Sequence, residues 1–101
     1  IVNIVDSSNN KKQEPINKIS GDGIYYLTEI INEGNVDVDN TAFLQILDSN
    51  YCNIKEVRYG YDKNLSNVII QNGNIVEFNI NDIILANGGK YYVRVQATIN
   101  L

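Results

Sequence analysis

The sequence predicts an all-β fold, a Greek-key β-sandwich of about seven strands with an immunoglobulin-like shape. Three observations carry this. No long window repeats its apolar residues at the helical period, whereas several runs alternate apolar and polar residues two by two. The apolar content is mostly Val, Ile, Tyr and Phe, which suit a pleated surface. Turn-forming pairs of Gly, Asn and Asp separate the runs at short spacing. With one cysteine and no tryptophan, the Cys…Trp…Cys spacing of antibody domains is absent.

The chain centres on Gly21 to Asp48, read as a long strand, a glycine turn and a second strand ending in aspartate. Ahead of it, Ile1 to Val5 (IVNIV) suits an edge strand, and the polar stretch Asp6 to Glu14 has no period and reads as a loop. Pro15 lacks an amide hydrogen and is tolerated at a strand start or edge. Ile16 to Ile19 predicts a short strand leading into Gly21-Asp22-Gly23.

In Ile24 to Ile31, the set Ile24, Tyr26, Thr28 and Ile30 is expected to face the core, and Tyr25, Leu27, Glu29 and Ile31 to face away. The second set is apolar enough to need cover. The N-terminal segment is the expected cover, and a neighbouring domain or subunit is the alternative.

Asn32 to Asn35 forms a turn, and Val36 to Asn40 (VDVDN) a connecting edge segment. In Thr41 to Asp48, Ala42, Leu44 and Ile46 share one face and Phe43, Gln45 and Leu47 the other. Ile54 to Tyr59 (IKEVRY) predicts a half-exposed strand, followed by a loop from Gly60 to Asn64. Leu65 to Gln71 and Asn74 to Ile80 flank Asn72-Gly73, which predicts a hairpin. Asn81 to Ala86 is expected to cross between sheets. Lys90 to Leu101 is the most regular strand, with Tyr91, Val93, Val95, Ala97 and Ile99 inward.

At 101 residues the chain is expected to be a single domain, and its start at Ile1 is expected to mark a fragment of a longer multidomain polypeptide. The net charge of −4 comes with no basic patch, so nucleic acid is not an expected partner. No apolar run approaches the ~20 residues of a membrane helix, so direct membrane insertion is not expected either. One cysteine permits no internal disulfide.

With no histidine, neither a Ser-His-Asp nor a Cys-His arrangement can form, and the chain is expected not to be an enzyme. Cys52, placed in a loop, has Lys55 as its nearest cation in sequence and no evident activating partner. Asp37, Asp39 and Asn40 offer oxygen ligands of the type calcium takes. The alternative is that they line the solvent side of an edge, alternating with Val36 and Val38. Seven tyrosines stand out. The adjacent pairs Tyr25-Tyr26 and Tyr91-Tyr92 each put one ring inward and one outward. Tyr59 and Tyr61, flanking Gly60 in a loop, are the candidate contacts for a glycan or a partner protein. An amide crosslink would need a lysine, an amide and a buried acid together, and Lys18, Asn100 and Glu29 are the trio considered.

The central stretch resembles a known family. Gly21-Asp22, Ile24, Tyr26, Ile30, Asn32, Gly34-Asn35, then Leu44, Ile46 and Asp48, match its Gly-Asp, its I-x-Y strand, its Gly-Asn turn and its strand ending in Asp. Phe78, Ile80, Asp82-Ile83, Gly88-Gly89 and the strand Tyr91 to Ile99 match its last third. The family is the repeat module called domain of unknown function 11, and the likeness spans roughly residues 16 to 100. The usual proline before the late glycine is missing at Ala86-Asn87-Gly88, and the stretch between Asp48 and Leu65 has its own pattern. The resemblance implies a β-sandwich repeated in tandem in bacterial or archaeal cell-surface and secreted proteins, serving as a structural spacer or in adhesion. Its partners would be neighbouring domains of the same polypeptide and a host or cell-wall protein or glycan. The alternative is a ligand-binding module for a glycan or calcium.

Overall fold

The computed structural model describes residues 2–5, 8–11, 21, 23–62, 64–70 and 73–100. The strand expected over Ile16 to Ile19, with Pro15 and Lys18, lies outside them, as does Asn72. The described residues contain seven strands and no helix. These are β1 (Val2–Val5), β2 (Gly23–Asn32), β3 (Thr41–Ile46), β4 (Cys52–Gly60), β5 (Asn67–Ile70), β6 (Ile75–Ile80) and β7 (Gly89–Ile99). They form two antiparallel sheets, a five-stranded one in the order β1-β2-β7-β4-β5 and a two-stranded one, β3-β6.

The larger sheet is built around β7, paired with β2 on one side and β4 on the other. Strict alternation explains this central place. Tyr91, Val93, Val95 and Ala97 are fully buried and Ile99 nearly so, while Tyr92, Arg94, Gln96 and Thr98 face outward. A strand with one wholly apolar face and one polar face can sit mid-sheet only with a second layer over the apolar side. The β2–β7 register runs unbroken from Gly23↔Thr98 to Asn32↔Gly89.

In β4 the register shifts between Ile54 and Glu56. This bulge leaves Lys55 unpaired and lets Ile54 and Val57, three apart, both point inward and be fully buried. It is the physical answer to a segment, IKEV, whose apolar residues do not alternate.

The smaller sheet supplies the second layer. Phe43 and Leu47 of the β3 segment and Val76 and Ile80 of β6 turn their side chains into the same core as β7. β6 lies over β4, since the Phe78 and Tyr59 rings are 4.8 Å apart. β3 lies toward β2, since Thr41 and Ile30 line the same cavity of about 210 Å³. The outer face of β3 carries the exposed Leu44 and Ile46.

The hairpin expected at Asn72-Gly73 does not form between the strands that flank it. β5 pairs with β4 in the larger sheet and β6 with β3 in the smaller, so the chain changes sheets there. The change of layer is pinned by backbone and side chain. Ile54 N donates to Gly73 O at 2.7 Å, and Asn74 Nδ2 donates to Leu47 O at 3.0 Å. Inward packing of Val76 and Ile80 outweighs the local turn preference. The tight connection is instead between β4 and β5, closed by Tyr59↔Asn67.

The outward face of β2 is covered by the N-terminal segment, as expected. Val5 and Leu27 are both buried, and β1 extends the sheet with Val5 bridging Lys11. Arg94 joins this cover by donating to Asn9 Oδ1 at 3.1 Å, with its guanidinium 5.3 Å from the Tyr25 ring centre.

At the far end of the sheets, Asn32 ties two crossovers together. Its side-chain amide donates to Val36 O and Ile84 O, its Oδ1 accepts from Gly34 N, and its backbone oxygen accepts from Gly88 N. The Asn81 to Ala86 stretch is indeed a crossing between sheets, held by the Val38–Ile84 bridge.

Candidate functional site

Tyr59 and Tyr61, the candidate ligand contacts, fall in one aromatic cluster, but in different states. Tyr59 belongs to β4, in line with the strand expected over Ile54 to Tyr59, and not to the loop in which a ligand contact was expected. Its half-buried ring packs on Phe78 at 4.8 Å and on Tyr91 at 6.4 Å. Tyr61 lies beyond the strand end, 54% exposed, with its ring edge-on to Tyr91 at 5.1 Å. Tyr61 can therefore offer ring surface to an incoming group, while Tyr59 is committed to packing. Leu65 is buried at φ 50°, a backbone state costly for a side chain with a Cβ, and Asp62 Oδ1 accepts from Asn64 N at 2.9 Å.

Beneath these rings Tyr91 is fully buried and its hydroxyl donates to Asp82 Oδ2 at 2.7 Å. Burial, then the neighbouring Asp82 carboxylate, hold that hydroxyl protonated well above the usual tyrosine range. Sequence reasoning placed Tyr91 inward but did not find its partner. Asp82 lies nine positions away in a crossover, and no local pattern links the two.

Of the acidic candidates, Asp37 has a structural partner of its own. Asp37 Oδ1 accepts from Ala86 N at 2.8 Å, so this carboxylate fastens one crossover to the other, and Asp39 and Asn40 are exposed beside it. Among the described residues no group of three or more His, Cys, Asp or Glu side chains could hold a metal ion. Asp48 caps its own turn, accepting from Asn50 N at 2.9 Å.

Cys52 begins β4 and is buried rather than in a loop. It interacts with the Tyr26 hydroxyl. Of the crosslink trio, Lys18 lies outside the described residues. Glu29 pairs in register with Tyr92 whereas Asn100 follows Ile99, so the two stand at opposite ends of the β2–β7 ladder. Glu29 instead accepts from the Tyr92 hydroxyl at 3.1 Å, beside a cleft of about 110 Å³ under β1. That volume is below the roughly 300 Å³ at which small-molecule sites begin.

The tyrosines give the chain an alkaline limit. Burial, then Cys52, pushes Tyr26 up to about 12. Burial, then a carboxylate, raises both Tyr91 and Tyr92. In the unfolded chain these hydroxyls ionise at ~10, the ordinary tyrosine value, while the folded chain keeps its protons. Their contribution is therefore full below about pH 10 and lost as pH rises toward the folded values. Denaturation midpoints are expected to hold steady up to about pH 9 and to fall through pH 10 to 12, with Tyr26→Phe flattening part of the fall. A flat profile across that window overturns this reading.

Fold and site together define an all-β, two-layer, sandwich-like protein whose best-formed side-chain clusters hold crossovers and strand ends in place. No protein-family model, no curated protein and no solved structure matches the chain. No described helix is long and apolar enough to cross a membrane.

Proposed function

We propose that this chain is a non-catalytic spacer module of a bacterial cell-surface or secreted protein, of the tandem kind that domain of unknown function 11 represents, with an adhesive contact at Tyr61. The observation that carries the spacer role is the arrangement of β1 and β7. Both are antiparallel to β2 and flank it on either side, so they run in the same direction. Tension applied at the start of β1 and the end of β7 loads the two ladders in shear. The hydrogen bonds then share the force instead of opening one at a time.

Neighbouring domains of the same polypeptide would supply that tension, and Tyr61 would face a host or cell-wall protein or glycan. The neighbours β1–β2 and β3–β6 agree with the pairs that adjoin in a seven-strand immunoglobulin order, which supports an immunoglobulin-like reading. The seat of β7 between β2 and β4 is the departure from it.

Single-molecule stretching tests the role. Handles at Val2 and Asn100 are expected to require severalfold more force than handles at Glu33 and Asn87, which sit at one end of the β2–β7 ladder and peel it. Equal forces in the two geometries sink the proposal.

A further inference from the structure

Asparagine is a thermolabile residue. It is most so before glycine, whose backbone nitrogen no side chain shields. Asn87-Gly88, in the turn that leads into β7, is such a pair, and the Asn87 side chain is exposed. Water reaches its amide group, so any restraint on its chemistry comes from the backbone.

That backbone is fastened across the fold. Asn87 N donates to Gly34 O at 2.8 Å, Gly88 N to Asn32 O at 2.8 Å and Gly89 N to Leu85 O at 3.1 Å. The first two acceptors lie at the end of β2 and in the connection after it. Asn32 also holds both crossovers with its side chain, which donates to Val36 O and Ile84 O. Asn87 itself takes φ 60°, a left-handed state that asparagine enters more readily than most residues with a Cβ.

We propose that Asn87 is a deamidation site which this clasp keeps closed, and which reacts only when the clasp opens. Hydroxide removes the Gly88 amide proton, and the Gly88 nitrogen bonds to Asn87 Cγ. The side-chain nitrogen takes a proton from water and leaves as ammonia, which regenerates the hydroxide. Water then opens the five-membered succinimide at either carbonyl, giving aspartate or isoaspartate. The first proton to leave is the one that Asn32 O holds. Hydrogen exchange at Gly88 needs the same proton and the same opening, so one factor slows both processes. Isoaspartate puts one extra carbon into the main chain between Asn87 N and Gly88 N. The two nitrogens then no longer match Gly34 O and Asn32 O together, and a passing opening becomes permanent. The inference does not rest on the spacer role and stands or falls separately.

The whole folded chain and the synthetic peptide of residues 85–91, LANGGKY, are aged side by side in mildly alkaline buffer. Deamidation adds about 1 Da. Peptide mapping assigns the site, since the chain carries a second Asn-Gly pair at Asn72-Gly73. Asn87 is expected to react about tenfold or more slowly in the folded chain than in the peptide, and Gly88 exchange to be slowed by the same factor within about threefold. Asn32→Ala keeps the backbone acceptor and removes the side-chain ties, so it is expected to speed both rates equally. The comparison of chain with peptide needs no variant and holds even where Asn32→Ala fails to fold. The proposal is overturned by equal rates in chain and peptide, or by a retardation that differs about tenfold from the Gly88 exchange protection. It is also overturned by an Asn32→Ala chain in which only one rate rises, or by an isoaspartate form whose Gly88 protection is intact.

Discussion

Gly89→Ala is expected to destabilise the fold by about 3 kcal/mol, at the upper end of what overpacking costs. A Cβ at this position would stand 2.1 Å from Leu85 O, 2.8 Å from Leu85 N and 2.9 Å from Leu85 C. All three are backbone atoms, so no side chain can swing aside to make room. Leu85 O is also the acceptor for Gly89 N at 3.1 Å, so relieving the clash breaks the bond that closes the turn. The turn joins β6 to β7, and Gly88 beside it donates to Asn32 O. Movement there disturbs both crossovers at that end. For a chain of this size the loss corresponds to a fall in melting temperature on the order of 15 °C. Urea denaturation followed by far-ultraviolet dichroism measures it, and a change below about 1 kcal/mol contradicts the close approach.

Tyr91→Ala is expected to cost still more, about 4 kcal/mol, the range for removing a large buried ring. Tyr91 is fully buried and touches Tyr59 and Tyr61, which in turn hold Phe78 and the loop after β4. Tyr91→Phe keeps the ring and removes only the bond to Asp82. Its expected cost is about 1.5 kcal/mol, typical for a hydrogen bond to a charged group. The ratio of the two separates packing from hydrogen bonding. Equal losses place the contribution in the Asp82 contact, and a negligible loss for Phe removes that contact from the account.

Legibility in the sequence followed alternation. The inward residues of β7 and the inward-outward split of both tyrosine pairs could be read directly, because a central strand with one polar face admits one orientation. β3 shows the limit. Leu44 and Ile46 on one face are as apolar as Phe43 and Leu47 on the other, so periodicity cannot say which side is buried. β4 was obscured by its bulge, since an extra residue at Lys55 breaks the period that pattern reading depends on. The Asn72-Gly73 signal concerned a local turn, whereas the destination of the chain was decided by which sheet needed Val76 and Ile80. At the candidate site, Tyr61 was found from its exposed loop. Tyr59 was placed at the end of a strand, but its packing on Phe78 and Tyr91, both distant in the chain, left no local signal.

The central seat of β7 has a bearing on how the molecule is made. β2 and β4 leave the ribosome well before the strand that joins them, so neither can complete its ladder until the last of the seven strands has been synthesised. Closing so long a loop is entropically slow, and a nascent chain waits meanwhile with two unsatisfied strands. Acquisition of structure should thus be a late, all-or-none event, and a chaperone's interest in this polypeptide would centre on the interval before β7 arrives.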